Sequence, residues 1–209
     1  MIRMTNASLA TLRGLKAGYP GQEVSIVSIG AGQVDLAHQD TNSAAANRMI
    51  NFATSISSPL SAGAGAGTFK YDETTARWRL VDHFQGAGIT YTATYTASSG
   101  NWTDVTATTL KYLLENRYLT VTFDLSGSKV SATPGTLFFT VPTGASGTSD
   151  TRIGCQAVSN NVTSTGGGFV RIAATATVLG LFVDWAGTNW ATDVAGNTSA
   201  RGVIRFEIP

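Results

Sequence analysis

The segment Leu119-Thr120-Val121-Thr122-Phe123-Asp124-Leu125 decides the fold class, because apolar and polar residues alternate along it without a break. Side chains on a β-strand point alternately to the two faces of the sheet. The four apolar side chains therefore share one face, and the two threonines and the aspartate share the other. A period of two over a full strand length predicts a strand that is buried on one side only.

The same period recurs on both sides of this segment. Alternating runs cover 89–97, 137–141, 179–185 and 204–208. In the third of these runs, Leu179, Leu181, Val183 and Trp185 are expected to share one face. Turn-forming residues such as Ser126-Gly127-Ser128 and Pro134-Gly135 separate the runs. Several strands with this punctuation predict an all-β protein built as a sandwich or a barrel.

Two stretches have weaker patterns. Ser43 to Met49 is rich in alanine and is compatible with one helical turn or a short helix. Leu110, Leu113 and Leu114 have helical spacing, but the next strand follows at once. We therefore prefer a β-hairpin with its turn near Glu115-Asn116, while short apolar runs leave a helix open.

The chain is expected to contain two domains, residues 1–83 and 84–209, joined by the connector Phe84-Gln85-Gly86-Ala87-Gly88. The first part has few apolar residues for a domain of its size. Small domains with too little apolar surface to bury usually need a partner. We therefore expect the N-terminal part to be stabilised by association with other chains.

Composition excludes several classes of function. The 14 Lys and Arg residues balance 13 Asp and Glu residues, and charged residues make up only 13% of the chain. This balance gives no reason to expect nucleic acid or an anionic membrane surface as a partner. No secretory signal or membrane-spanning apolar run is visible, so synthesis in the cytoplasm is expected. The single cysteine, Cys155, is expected to be a small buried apolar residue.

The sequence has few residues suited to catalysis. The two histidines, His38 and His83, are far apart, and the Gly-x-Ser-x-Gly motif of many hydrolases is absent. The glycine loop Gly166-Gly167-Gly168 lacks the Lys-Ser or Lys-Thr of a phosphate-binding loop. Asp184 and Asp193 flank a loop, but solvated loop carboxylates are the simpler interpretation. We expect a non-catalytic protein with no cofactor and no metal.

Aromatic residues are the best candidates for ligand binding. Trp78 and Trp102 lie at strand ends and are expected to pack against a core or a subunit boundary. A Trp ring exposed in a loop can instead stack on the apolar face of a sugar. We predict a ligand-binding group at one loop, although the ring of Trp190 could equally pack inside the protein. Its members are Trp185, Asn189, Trp190 and Asp193.

The order of several short motifs resembles that of phage tail-fibre and receptor-binding proteins. The N-terminal motifs are Leu12-Arg13-Gly14-Leu15, Gly21-Gln22, Leu36-Ala37-His38-Gln39-Asp40, Ala45-Ala46-Asn47-Arg48, Tyr71-Asp72 and Arg77-Trp78. The C-terminal motifs are Asn101-Trp102-Thr103, Ser126-Gly127-Ser128 after the strand 119–125, the strand 137–142 ending in Val-Pro, Asn189-Trp190 and the final run 202–206. The chain begins directly at this module, so a shaft and a tail-attachment domain are expected elsewhere.

The resemblance implies a homotrimer with an N-terminal β module that takes part in trimerisation. It also implies a distal, antiparallel, jelly-roll-like β-sandwich that attaches the virion to host cell-surface polysaccharide or another receptor. Trimerisation would cover exposed strand edges, and three weak sites would add avidity. Other virion tail proteins are then partners, and the location is the tail fibre of the virion. The alternatives are a monomeric carbohydrate-binding module or adhesin, and a polysaccharide-degrading tailspike.

Overall fold

A computed structural model of the chain describes residues 1–54, 56–142, 144–163 and 167–209. These residues form an all-β protein, in which the only helical segment described is the 3₁₀ turn Ala45–Asn47. No helix in the described ranges is long and apolar enough to cross a membrane. The chain divides into two compact units. The domain boundary at 83/84 stays a prediction.

Unit 1 consists of Met1–Ile89, Leu113–Tyr118 and Pro209. Its strands are β1 (Ile2–Met4), β2 (Ala10–Leu12), β3 (Glu23–Ser28), β4 (Val34–Leu36), β5 (Met49–Ile50), β6 (Ser58–Leu60), β7 (Ala66–Asp72) and β8 (Arg77–Phe84). They form a five-stranded sheet in the order β1-β3-β7-β8-β5 and a three-stranded sheet in the order β2-β4-β6. Of the two possibilities left open for 43–49, one helical turn or a short helix, the structure has the single turn, a 3₁₀ turn just before β5.

Unit 1 has a hydrophobic core of its own, although the N-terminal part has few apolar residues for its size. Stabilisation of this part by association with other chains stays a prediction. Large side chains from separate strands meet there, including Phe69, Trp78 and Met49, and each is at most 1% exposed. The unit also includes residues 113–118, where Leu114 is fully buried. The burial of Trp78 confirms that this tryptophan is a packing residue.

Unit 2 consists of Thr90–Tyr112 and Leu119–Ile208. The strands that follow unit 1 along the chain are β9 (Ile89–Thr90), β10 (Tyr95–Ala97), β11 (Trp102–Thr103), β12 (Thr106–Glu115), β13 (Tyr118–Val130), β14 (Leu137–Thr140), β15 (Thr151–Ser159), β16 (Val162–Thr163), β17 (Gly168–Ile172), β18 (Val178–Phe182) and β19 (Asp193–Glu207). They form one sheet in the order β10-β14-β18-β17-β15-β19-β13-β12-β9, with β11 beside β13 and β16 beside β15.

The alternating patterns of the sequence agree with the burial of the long strands. In β13 the residues Leu119, Val121, Phe123 and Leu125 are at most 1% exposed, as predicted. The hairpin is also confirmed, since β12 and β13 are neighbours in the sheet. Its turn contains Asn116 with a φ of 55°, a left-handed conformation that Asn adopts more readily than most residues.

The predicted strand 89–97 is in fact two strands with a break between them. The N–H of Tyr91 donates to the carbonyl of Leu110 in β12, whereas the N–H of Thr140 in β14 donates to the carbonyl of Thr94. The segment therefore changes its pairing partner within four residues. Alternation still holds across the break, because it reports which face is buried and not which strand is the neighbour.

The sheet of unit 2 curls around its core. The first half of β15 pairs with β17, and the second half pairs with β19. The rings of Phe123 on β13 and Phe139 on β14 are 5.2 Å apart, although these strands are not neighbours in the sheet. Trp102 is 4% exposed and lies edge-on to Tyr95, which confirms its packing role.

Candidate functional site

The loop after β18 carries the predicted ligand-binding residues, and Asp184 fixes its shape. One carboxylate oxygen of Asp184 accepts hydrogen bonds from the backbone N–H groups of Ala186 and Thr188, each at 3.0 Å. Hydrogen bonds from the side chain and backbone of Thr188, with those from Ala186, lower the pKa of Asp184. Gly187 adopts a φ of 82°, which suits glycine. The loop is therefore held by a charged anchor at its start.

Trp185 lies outside the face that it was expected to share with Leu181 and Val183. Strand β18 ends at Phe182, so the chain has left the sheet before residue 185. Trp185 is 57% exposed, and its ring stacks on Phe169 at a centroid distance of 4.4 Å and an angle of 20°. Phe169 stacks in turn on Phe182, at 4.4 Å and 3°. We call Trp185, Phe169 and Phe182 the aromatic ladder.

The aromatic ladder gives Trp185 a fixed orientation. Phe169 is only 6% exposed, and it belongs to β17, directly opposite Phe182 on β18. A ring that already stacks on a buried aromatic side chain loses little further freedom when a ligand binds it. Phe169 and Phe182 were missed at the sequence level, although a signal existed. Alternation along 168–172 and 178–182 places both rings opposite the buried face.

Trp190 belongs to the core, so its ring does not have the exposed face that stacking on a sugar requires. The residue is fully buried, and its indole N–H donates to the carbonyl of Leu181 at 3.1 Å. Its backbone N–H donates to the carbonyl of Pro134 at 2.8 Å. Of the two interpretations that the sequence left open for this ring, the structure has the packed one.

Asp193 is also buried, which corrects the interpretation of this residue as a solvated loop acid. It is 2% exposed, and its carboxylate accepts hydrogen bonds from the backbone N–H groups of residues 195–197 and from the hydroxyl of Thr198. Burial disfavours the charge, but these hydrogen bonds outweigh that effect and lower the pKa of Asp193. Its observed contacts shape the turn at the start of β19.

Asn189 is exposed and lines a groove beside the loop. The groove has a volume of about 350 Å³, and its walls include Thr163, Val183, Asp184 and Thr188. Of the four predicted binding residues, the structure thus leaves Trp185 and Asn189 exposed and buries Trp190 and Asp193. Ligand binding by these residues stays a prediction. Gly166 of the predicted glycine loop lies outside the described residues.

Titratable groups in the described part of the chain do not gather into a metal site. Within those ranges, no three His, Cys, Asp or Glu side chains form a group that could hold a metal ion. Burial raises the pKa of the Cys155 thiol to about 12, so the thiolate is scarce at neutral pH.

Comparisons with known proteins add no relative. No protein-family model matches the chain, and no curated protein or solved structure shows significant similarity to it.

Proposed function

We propose that this chain is the tip of a phage tail fibre, a non-catalytic receptor-binding protein that attaches the virion to glycan on the host cell surface. The observation that carries the glycan part is the exposed ring of Trp185. A tryptophan that stacks on a buried phenylalanine and is 57% exposed is suited to stack on a pyranose ring. The nearby groove with Asn189 supplies a side-chain amide that can donate to and accept from sugar hydroxyls.

The phage assignment rests on the order of motifs shared with tail-fibre proteins. It makes the first 83 residues a β module involved in trimerisation and the rest a jelly-roll-like β-sandwich. The change of pairing partner along β15 and the contact between Phe123 and Phe139 support the sandwich, because they bring two parts of one sheet face to face. The location is then the virion tail, with other tail proteins as partners.

The homotrimer is part of the same proposal, but its physical basis differs from the one inferred from sequence. Unit 1 has a core cluster of buried apolar residues within a single chain. Exposed apolar side chains on unit 1, among them Phe84 at 63% and Val81 at 48%, would instead be covered by association. Light scattering should give three times the chain mass of 21.8 kDa. The mass of a single chain would refute the trimer and favour a monomeric binding module or adhesin.

The glycan proposal is tested with Trp185→Ala. Binding of fluorescently labelled protein to host cells should weaken at least about tenfold, which is the loss expected from removing a central aromatic contact. Tyr19→Ala is the matched control, because Tyr19 is an exposed aromatic residue on unit 1 at 67%. It should bind like the wild type. Equal binding by the wild type, Trp185→Ala and Tyr19→Ala would refute the role of Trp185 in binding.

A second assay separates binding from catalysis. The protein is incubated with isolated host polysaccharide, and new reducing ends are measured. We expect none. Release of oligosaccharides would mean a polysaccharide-degrading tailspike instead of a binding protein.

A further inference from the structure

The outer face of unit 2 carries a row of residues that sit opposite one another on four adjacent strands. Phe138 on β14 pairs with Gly180 on β18, and Gly180 pairs with Arg171 on β17. Arg171 pairs in turn with Arg152 on β15. Neighbouring strands are about 4.8 Å apart, so the row spans roughly 14 Å. The aromatic ladder lies alongside, since Phe169 and Phe182 occupy the paired positions two residues away.

Gly180 forms the floor of a groove in this row. A Cβ at this position would lie 3.1 Å from Thr136 Cγ2, 3.3 Å from Phe182 Cε2 and 3.4 Å from Phe138 Cε1. A side chain would be crowded there, so Thr136 and the Phe138 and Phe182 rings approach Gly180 closely only because it is a glycine. A groove lies beside Gly180, and both rings line it. Its volume is about 100 Å³, and Arg171 is one of its walls.

The far end of the row carries a surplus positive charge. Arg171 donates two hydrogen bonds to Asp150, one to each carboxylate oxygen at 3.0 Å. Arg152 donates to the same carboxylate at 3.3 Å. Hydrogen bonds from Arg171 and then Arg152 lower the pKa of Asp150, so the carboxylate stays ionised at neutral pH. Two guanidinium groups against one carboxylate leave one unbalanced positive charge.

We infer that this face binds an acidic oligosaccharide, with sugar rings on the aromatic ladder and in the Gly180 groove and a carboxylate at Arg152 and Arg171. The inference rests on the proposed function and names its ligand class. Aromatic rings supply the contact for apolar sugar faces, whereas guanidinium groups bind carboxylates through paired hydrogen bonds. The surplus charge is what selects an acidic ligand over a neutral one.

The first test is an array of neutral oligosaccharides and of oligosaccharides that contain uronic or sialic acid. The wild-type protein should retain acidic members and not their neutral counterparts. For a retained uronic-acid ligand, reduction of its carboxyl group to an alcohol should weaken binding about tenfold, or about 1.4 kcal/mol. Binding to neutral members alone would overturn the inference and leave the proposed function intact. Binding to cells but to no glycan on the array would overturn both the inference and the glycan part of the proposal.

Variants then locate the site. Arg152→Gln should reduce the preference for acidic over neutral ligands. Gly180→Ala should weaken binding to all ligands, because the added methyl group displaces the Phe138 and Phe182 rings that line the groove. Arg201→Gln is the matched control, since Arg201 is an exposed arginine paired with Asp124 elsewhere on unit 2. It should bind like the wild type. A weaker preference in Arg201→Gln equal to that in Arg152→Gln would refute a localised site.

The same face could instead lie between two copies of this chain. Light scattering of Gly180→Ala decides this, with circular dichroism to check that the variant is folded. An unchanged mass together with weaker glycan binding supports the saccharide site. A fall in mass would show that the face is an interface, which overturns the inference.

Discussion

Replacing Trp190 separates a core residue from a ligand-binding residue. Its ring has no exposed surface, so Trp190→Ala removes a fully buried aromatic side chain and leaves a cavity. Substitutions of this kind cost about 3–5 kcal/mol. Trp190→Phe keeps most of the ring but removes the indole N–H that donates to Leu181. In Trp190→Phe, the Leu181 carbonyl loses this hydrogen bond, and that loss should lower the free energy of unfolding by about 1–3 kcal/mol.

Urea unfolding followed by circular dichroism measures these losses. With an m-value of about 2 kcal/mol/M, the midpoint of Trp190→Ala should fall by about 1.5–2.5 M relative to wild type. Trp185→Ala is the control, because it removes an exposed ring whose stacking on Phe169 contributes only about 0.5–1.5 kcal/mol. Binding should respond in the opposite order, with folded Trp190→Phe retaining affinity and Trp185→Ala losing it. An unchanged midpoint for Trp190→Ala combined with lost binding would show that the ring contacts ligand.

Two further predictions concern buried polar groups. In unit 1, the side-chain carbonyl of Gln85 accepts a hydrogen bond from the backbone N–H of Leu114 at 2.7 Å. Gln85→Leu should therefore lower the free energy of unfolding by about 1–3 kcal/mol, measured by urea unfolding. An unchanged midpoint would contradict this role of Gln85. Asp193 has a folded-state pKa below its usual 3.8, so its stabilising effect is complete above pH 3.8 and is lost as the pH falls through the lower folded value. Asp193→Asn should lower the thermal midpoint at pH 7 and make that midpoint fall less as the pH is lowered. An equally steep fall in the variant would refute the stabilising role of the Asp193 carboxylate.

The strands were predictable where local pattern alone decides burial. Alternation along β13 identified its buried face, and Glu115-Asn116 identified the hairpin turn. The break after Thr90 was not predictable from the same kind of pattern. A segment that moves from β12 to β14 keeps its alternation, and only the tertiary pairing shows the change.

Burial of single residues in loops was the hardest feature to predict. Trp190 is held by the carbonyls of Leu181 and Pro134, and the second of these lies 56 positions earlier in the chain. Neither contact can be predicted from the polar residues that flank position 190. Asp193 was taken for a solvated loop acid for the same reason. The amino-acid composition around it does not distinguish a solvated turn from a turn organised around a buried carboxylate.

The core of unit 1 shows what a count of apolar residues leaves out. The count treats alanine and tryptophan alike, whereas the contribution of a side chain to a core scales with the apolar area that it buries. Phe69, Trp78 and Tyr71 each bury far more than an average apolar residue, and they meet because β7 and β8 pair along most of their length.

Net charge describes the whole chain and not the candidate glycan face. The total is +1, whereas the surplus positive charge at Arg152 and Arg171 is local. Strand register creates it, since residues 19 positions apart become direct neighbours on β15 and β17. Charges in contact with a ligand act over a few ångströms, whereas those more than a Debye length away, about 8 Å at physiological salt, are screened. The charge that a ligand meets is therefore set by pairing within the sheet, and a chain close to neutrality can still select an acidic sugar.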